Sequence, residues 1–196
     1  MTAEGKIVRF LQDRVDASPA QAARFAGAFQ EKKLRKKQLV VQPDLVAEHR
    51  YYVIQGALRS FLVDADGNET TIALAIEDWW ITDYNSYIYQ QPATLFVEAL
   101  SNATVLQLSH AREQELKNED PVFGTFFRII AERGLAAQQR RIITNLTHSA
   151  EERYESLVKN HPQFLHEVPQ YIIASYLGMT TEFLSKIRNN RVQRKS

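Results

Sequence analysis

The spacing of apolar side chains predicts helices at both ends of the chain and strands between them. Over residues 4–31 apolar side chains recur every three or four positions, and Ser18-Pro19 is typical of a helix start. From residue 38 to about 109, short runs rich in β-branched and aromatic residues are separated by turn residues, including Gly56 and Asp66-Gly67-Asn68. The predicted strands are 39–41, 51–54, 58–63, 70–76, 94–100 and 103–108. Short strands without intervening helices indicate an antiparallel barrel or jelly roll.

A long helix is predicted over residues 118–147, with Pro121 in its first turn. Near-heptad spacing relates Phe123, Phe127, Ile130, Gly134 and Ala137. Further along the helix, Ile142 and Leu146 continue an apolar stripe. A helix that follows a complete barrel has few partners for its apolar face within one chain. We therefore expect a dimerisation helix, in which Gly134 and Ala137 allow a second helix to approach closely. The alternative is a helix that packs only on its own barrel.

The C-terminal part has the pattern of a capped helix followed by two short helices joined by a tight turn. Ser149 and Glu152 have capping-box spacing at the start of a helix over 150–160. In the stretch 168–191, Gly178 suits a left-handed helix end and Thr180 suits an N-cap. Ala174 is small enough for a close helix crossing, and the residues expected to be buried are Ile173, Leu177, Leu184 and Ile187. This is the pattern of a helix-turn-helix.

Charge supports a nucleic-acid role for this end of the chain. The net charge is +1, yet residues 186–196 contain five basic side chains and no acidic one. Thr181, Glu182, Ser185 and Lys186 are predicted to read bases, beside the cap Thr180. The side chains predicted to contact phosphates are Arg188, Arg191, Arg194 and Lys195. A second basic cluster at positions 32, 33 and 35–37 is expected to be a surface patch rather than a nucleic-acid site, because strand-like residues follow it directly.

Composition excludes several classes of site. The 196 residues include no cysteine, which excludes disulfides, thiolate catalysis and cysteine-ligated zinc or iron–sulfur centres. The five histidines show no metal-ligand spacing, so we expect no catalytic residues, no metal and no enzyme. A cupin-like enzyme is the least favoured alternative. No apolar run is long enough to span a membrane, and the first residues lack a signal-peptide core, so a cytoplasmic protein without membrane contact is expected.

The order of these parts resembles the CRP/FNR superfamily of bacterial transcription regulators. The most specific matches are YVIQG at 52–56, ADGNE at 65–69 and IASYLGMTTEFLSKIR at 173–188. The resemblance implies an α+β fold: an N-terminal double-stranded β-helix (jelly roll) with flanking helices, a long central dimerisation helix and a C-terminal helix-turn-helix. The domains would be 1–117 for a cyclic-nucleotide-binding-like sensor, 118–148 for the dimerisation helix and hinge, and 149–196 for DNA binding.

The resemblance also implies the partners of the protein. These are double-stranded DNA with a palindromic operator, a second copy of the chain, and RNA polymerase as a further candidate. The base-reading positions of the family fall on Thr181, Glu182 and Lys186, with Ser185 beside them. A protein-interaction or ligand-sensing module that has lost DNA binding is the main alternative. The segment between residues 159 and 168 is too short for the β-hairpin wing of many members.

The residues that hold cyclic AMP in members of that family are missing here. Their Gly-Glu and Arg-Ser or Arg-Thr pairs correspond to Ile81-Thr82 and Ala93-Thr94. The anionic phosphate would therefore lack its guanidinium partner. We expect no cofactor and no dependence on cyclic AMP, with an effector that is unknown. The residues predicted to line an effector pocket are Arg59, Thr82, Tyr84 and Thr94.

Overall fold

The computed structural model describes residues 1–193, in which helices flank two antiparallel four-stranded sheets. The helices before and within the strand region are α1 (Ala3–Gln12), α2 (Pro19–Gly27) and α3 (Tyr84–Tyr89). The strands are β1 (Gln30–Leu34), β2 (Leu39–Val41), β3 (His49–Gln55), β4 (Leu58–Val63), β5 (Glu69–Ala75), β6 (Trp80–Ile81), β7 (Phe96–Ala99) and β8 (Ala103–Ser109). The helices that follow are α4 (His110–Glu119), α5 (Pro121–Thr147), α6 (Ala150–Asn160), α7 (Phe164–Glu167), α8 (Gln170–Tyr176) and α9 (Thr181–Gln193).

The two sheets enclose one apolar core in a jelly-roll-like arrangement. One sheet has the order β1-β8-β3-β6 and the other β2-β7-β4-β5, with antiparallel pairing throughout. Buried side chains from both sheets meet between them, including Tyr51, Val53, Leu58, Val97 and Val105. Burial raises the pKa of the Tyr51 hydroxyl to about 12. The predicted antiparallel β-domain is confirmed.

The turn between β3 and β4 explains why a glycine stands at position 56. Gly56 has a φ of +86°, and a Cβ placed there would lie 2.8 Å from the carbonyl oxygen of Asn102. Only glycine tolerates both the left-handed backbone and so close a neighbour. The turn therefore lies tightly against the loop between β7 and β8.

The strand region begins earlier than the sequence predicts. Helix α2 has the expected capping box at Ser18 but ends at Gly27, and residues 30–31 belong to β1 rather than to a helix. The short strand β6 and the helices α3 and α4 were also not predicted as separate elements. Position 117, the expected end of the sensor region, lies inside α4.

The long helix is present, but it starts at Pro121 because the Asp120 side chain caps it. Phe123 and Phe127 are buried in the same chain, packed against Phe25 of α2. Ile130 also packs against this cluster, whereas every residue from 131 to 140 is exposed. The N-terminal third of α5 thus follows the alternative interpretation and packs on its own barrel.

A buried ion pair attaches α4 to the β-domain beside α5. The Arg50 Nε of β3 lies 2.9 Å from the Glu113 carboxylate of α4, and both side chains are at least nine-tenths buried. The Tyr87 hydroxyl donates to the same carboxylate at 2.8 Å, and Lys117 pairs with its other oxygen. These partners offset the cost of removing the charges from water, and loss of either Arg50 or Glu113 would leave the charge of the other without its buried partner.

Candidate nucleic-acid interface and barrel interior

The turn between α8 and α9 is fixed by two caps, one at the C-terminus of α8 and one at the N-terminus of α9. Gly178 has a φ of +67°. The Met179 amide donates to the Ala174 carbonyl at 3.0 Å and the Gly178 amide to the Ser175 carbonyl at 3.1 Å. This is the double hydrogen bond of a Schellman C-cap. On the other side, the Thr180 hydroxyl accepts from the Phe183 amide at 3.2 Å. The predicted capping roles of Gly178 and Thr180 are confirmed.

Helix α9 has one buried and one polar exposed face. Leu184 and Ile187 are buried against Ala174, Ile173 and their neighbours, as the spacing predicts. The exposed residues of the helix include Thr181, Glu182, Lys186 and Arg188. Three of the four predicted base-reading side chains, those of Thr181, Glu182 and Lys186, are therefore accessible.

Local hydrogen bonds orient part of this surface. Hydrogen bonds from its own backbone amide and from the Thr180 hydroxyl hold the pKa of Glu182 below its usual range, so the carboxylate stays ionised. Ser185 is half-buried, and its hydroxyl donates to the Thr181 carbonyl at 2.9 Å. The Gln170 amide of α8 lies 3.3 Å from the same hydroxyl. Ser185 thus contacts both helices, and it is less available than the other three.

The predicted phosphate contacts are placed differently from one another. Arg188 is exposed, but Arg191 is half-buried, with its guanidinium carbon 6.0 Å from the centre of the Tyr154 ring. Arg191 also lines a small cleft with Glu151 and Glu155. Arg194 and Lys195 lie outside the described residues. Among the described arginines of α9, Arg188 is the one that points freely into solvent.

Two aromatic side chains on this part of the molecule were not singled out from the sequence. Phe183 of α9 is 46% exposed and Tyr171 of α8 is 53% exposed. Both aromatic residues stand next to polar residues and outside the apolar spacing of their helices. This departure from the spacing is the signal by which they could have been found. They give the polar surface an apolar component that can contact bases, thymine methyl groups or another protein.

Helix α8 packs on the edge strand β5 of the barrel. Ala57, Leu74 and Leu100 of the barrel belong to the same buried cluster as Ile172, Ile173 and other apolar residues of the C-terminal helices. The Thr71 amide of β5 donates to the Ser175 hydroxyl at 2.9 Å. Trp79, next to β6, contacts Phe164 of α7 with 5.6 Å between ring centres. The helix pair is thus held against the β-domain.

Arg141 of α5 connects the same two parts, and no pattern in the sequence indicated this role. Its guanidinium donates to the carbonyls of Ile72, Thr71 and Tyr176, the last at 3.1 Å. No carboxylate pairs with it within residues 1–193. Burial lowers the pKa of this guanidinium from its usual value. A cation held by backbone carbonyls alone fixes the positions of those carbonyls.

The residues predicted to form an effector pocket do not gather around one cavity. Arg59 lies on the outer face of its sheet, where Nε is 2.7 Å from Glu98 and a second nitrogen pairs with Glu69. Thr82 is buried and its hydroxyl donates to the His49 carbonyl at 2.8 Å. Tyr84 is partly exposed, beside Arg50. Thr94 contacts Asp83.

Asp83 organises this region instead. It is 1% exposed, and its carboxylate accepts from the backbone amides of Ser86 at 3.2 Å, Thr94 at 2.9 Å and Leu95 at 3.0 Å. Three amides that converge on one point form a site for an anion. Here that anion is a side chain of the protein itself.

Neither a metal cluster nor a membrane span is present in the described part of the chain. Across residues 1–193, no three His, Asp or Glu side chains gather closely enough to hold a metal ion. No helix in the same range is both long and apolar enough to cross a membrane.

Comparison with known proteins relates this geometry to a family. Residues 31–120 match the family model described as the cyclic nucleotide-binding domain. A search of curated protein sequences gives no match.

Solved structures with the same fold include FixK2 from Bradyrhizobium japonicum, at 19% identity and a TM-score of 0.72 over 85% of this chain and 86% of that one. The c-di-GMP responsive global regulator CLP of Xanthomonas campestris has 14% identity and a TM-score of 0.68, with coverage of 91% and 93%. A CRP/FNR-family transcriptional regulator from Thermus thermophilus has 19% identity and a TM-score of 0.63, with coverage of 84% and 87%. The chain thus has the fold of CRP/FNR-family regulators, and its residues 31–120 match the cyclic nucleotide-binding domain.

Proposed function

We propose that the protein is a dimeric, sequence-specific DNA-binding transcription regulator of the CRP/FNR type that does not depend on cyclic AMP. The observation that carries the proposal is the helix pair α8–α9. Its second helix buries Leu184 and Ile187 and presents Thr181, Glu182 and Lys186 to solvent. This is the arrangement in which a recognition helix enters the major groove. The fold neighbours described as transcription regulators support the same function.

Selection of bound sequences from random duplex DNA tests the proposal. A dimer with two-fold symmetry should select an inverted repeat whose half-sites lie about one helical turn apart. Selection of unrelated sequences, or of none, would contradict sequence-specific binding. Glu182→Ala serves as the matched variant, because it should select a repeat that is degenerate at one position of each half-site.

The second half of α5 supports the dimer. Leu135, Ile142 and Leu146 are 71%, 59% and 81% exposed and lie on one side of the helix. An isolated helix with an uncovered apolar stripe is unstable in water, so a partner helix is expected there. The occupant we propose is the same stripe of a second copy, since a two-fold axis places identical surfaces against each other.

Independence from cyclic AMP is supported by Asp83. A cyclic nucleotide carries a negative charge, and the amides of Thr94 and Leu95 already bind a carboxylate. Bringing a phosphate to the same place would set two anions together without a cation, which is unfavourable by several kcal/mol in a buried site. Isothermal titration with cyclic AMP and cyclic GMP tests this, and micromolar binding that also raised operator affinity would overturn it.

The second candidate function is a protein-interaction module of the same fold that has lost DNA binding. The exposed rings of Phe183 and Tyr171 favour it, because aromatic side chains are enriched at protein interfaces. Affinity for duplex DNA that falls steeply with salt would exclude this candidate.

A further inference from the structure

The basic cluster that follows the second helix lies at a turn of the barrel. We call the side chains of Lys33, Arg35, Lys36 and Lys37 the basic turn, and all four are exposed. Lys32 beside them is partly exposed, and Glu31 is the nearest acidic residue in sequence. None of these five basic side chains has an ion-pair partner among residues 1–193. The cluster is therefore an uncompensated positive surface.

The backbone of the basic turn holds one of its lysines in an unfavourable conformation. The Gln38 amide donates to the Arg35 carbonyl at 2.9 Å, which closes the turn, and Lys37 has a φ of +67°. Glycine or asparagine suits such a left-handed position, whereas lysine is strained in it. A lysine at a strained and solvent-exposed position points to a role for its charge.

The basic turn lies at the end of the barrel that holds the C-terminal helices. The Lys36 amide donates to the Asn102 side chain at 3.1 Å, and the Lys37 amide donates to the Ala99 carbonyl at 2.7 Å. Leu100, between those two residues, donates through its amide to the Ala57 carbonyl at 2.8 Å. Leu100 and Ala57 both belong to the buried cluster formed with the C-terminal helices. Residues 99–102 thus connect the basic turn to the barrel residues that pack against the C-terminal helices.

We propose that the basic turn is a second DNA-binding surface, which contacts the phosphates of duplex that extends beyond the segment read by α9. This inference rests on the proposed DNA-binding function. Lysine and arginine side chains without acidic partners gain affinity for a polyanion by releasing its counterions. The contact carries no base preference, because it reaches phosphates and not base edges.

The experiment compares two duplexes and three proteins. One duplex contains the selected operator with minimal ends, and the other extends it by about one and a half helical turns on each side. The test variant is Lys33→Gln/Lys36→Gln/Lys37→Gln. The control, Arg9→Gln/Arg112→Gln/Arg128→Gln, removes the same charge from exposed residues that pair with acids elsewhere on the molecule.

Wild type and the control should bind the long duplex more tightly than the short one. Their slope of log affinity against log salt should be steeper on the long duplex by about 5, since each phosphate contact contributes about 0.9 and a dimer brings the three tested lysines to each side. The test variant should bind both duplexes alike, with wild-type affinity for the short one. A test variant that keeps the wild-type difference would overturn the inference and would assign the basic turn to another partner.

Two further results separate the possible failures. A wild-type protein that binds neither duplex would refute the proposed function itself, whereas length-independent wild-type binding would refute only the second surface. Lys37→Gly removes one charge and also the strain at φ +67°. This variant should have a higher melting temperature than wild type and a lower affinity for the long duplex. The loss of affinity then cannot result from unfolding. Unchanged long-duplex affinity in this folded variant would count against the proposal.

Discussion

The guanidinium carbon of Arg141 lies 4.1 Å from the centre of the Tyr176 ring, and the same guanidinium donates to the Tyr176 carbonyl. Tyr176 is the last residue of α8, so the long helix directly contacts the helix pair proposed to bind DNA. Two further hydrogen bonds from the Arg141 guanidinium reach the carbonyls of Ile72 and Thr71 in β5. One side chain therefore couples the positions of the long helix, the barrel and the helix pair.

Arg141→Ala should loosen the attachment of the helix pair to the barrel. Hydrogen bonds from charged donors contribute about 1.5 to 3 kcal/mol each, so the free energy of local opening should fall by at least about 2 kcal/mol. Hydrogen exchange of the amides in β5 and α8 measures this directly. Arg140→Ala is the matched control, because Arg140 is exposed and should leave the exchange rates unchanged. Equal exchange in both variants would show that Arg141 has no such role.

Leu135→Glu and Ala137→Glu distinguish the two faces of α5 that could pair with a second copy. Leu135 lies on the stripe with Ile142 and Leu146, whereas Ala137 lies roughly opposite, in line with Ile130 and Arg141. Leu135→Glu should yield monomers, because it places charge in an apolar seam, and Ala137→Glu should remain dimeric. Light scattering at micromolar concentration reads the outcome. The reverse pattern would place the seam on the face that carries Ile130 and Ala137.

Attachment of the C-terminal helices should weaken as the pH falls. His161 packs edge-on against Trp79, and burial lowers its pKa below the usual 6.5. The unfolded state then binds the proton more readily, so stability is full above about pH 6.5 and declines as the pH falls from there towards the folded-state pKa. His161→Gln should flatten this decline in thermal unfolding. The exposed His166 supplies the control, because His166→Gln should leave the decline of thermal stability with falling pH as it is in wild type.

Glu182→Ala and Arg188→Ala should differ in how they impair DNA binding. A carboxylate that accepts from cytosine N4 contributes about 1 to 3 kcal/mol of base discrimination, so Glu182→Ala should relax preference at one position. Arg188→Ala should weaken all sequences alike and lower the salt slope by about 1 for each subunit of the dimer. Binding assays against operator and scrambled duplexes at several salt concentrations separate these effects. Identical, sequence-independent losses would mean that α9 presents a different face to DNA.

Asp83→Ala should destabilise the barrel strongly, since it leaves the amides of Ser86, Thr94 and Leu95 without their acceptor. Each buried, unsatisfied donor costs about 1 to 3 kcal/mol, and we expect a total loss of about 3 kcal/mol or more. Chemical denaturation measures it, with Asp66→Ala as an exposed control. A loss no larger than that of the control would show that the amides find other partners.

Local signals in the sequence were sufficient for the elements at both ends. Ser18, Ser149 and Gly178 act through hydrogen bonds and backbone angles within a few residues, and all three were predicted correctly. The buried face of the helix pair followed from its period for the same reason. Such features depend on neighbours that are also close in the sequence.

Contacts between distant segments were not predictable in this way. Ile130 fits an apolar heptad, and the heptad does not say whether it packs on its own barrel or on a second copy of the chain. The way in which α5 crosses the barrel decides this. Arg59 was assigned to a pocket, whereas its strand register places it opposite Glu98 on the outer face. The role of Arg141 likewise depends on backbone carbonyls that lie far away in the sequence. Asp83 caps the nearby α3, but it also binds the amides of Thr94 and Leu95 beyond that helix, and a backbone group has no residue-specific signature.

The position of β5 at the edge of its sheet has a consequence for solubility. Its Thr71 amide is satisfied by Ser175, and the side chains of Leu74 and of Ile76, which directly follows the strand, are covered by the C-terminal helices. An uncovered edge strand with apolar side chains can add to a strand of another molecule and start aggregation. Any motion that lifts α8 from the barrel would expose such an edge. The helix pair therefore also protects the β-domain, and a chain truncated before α6 should aggregate where the full chain remains dispersed.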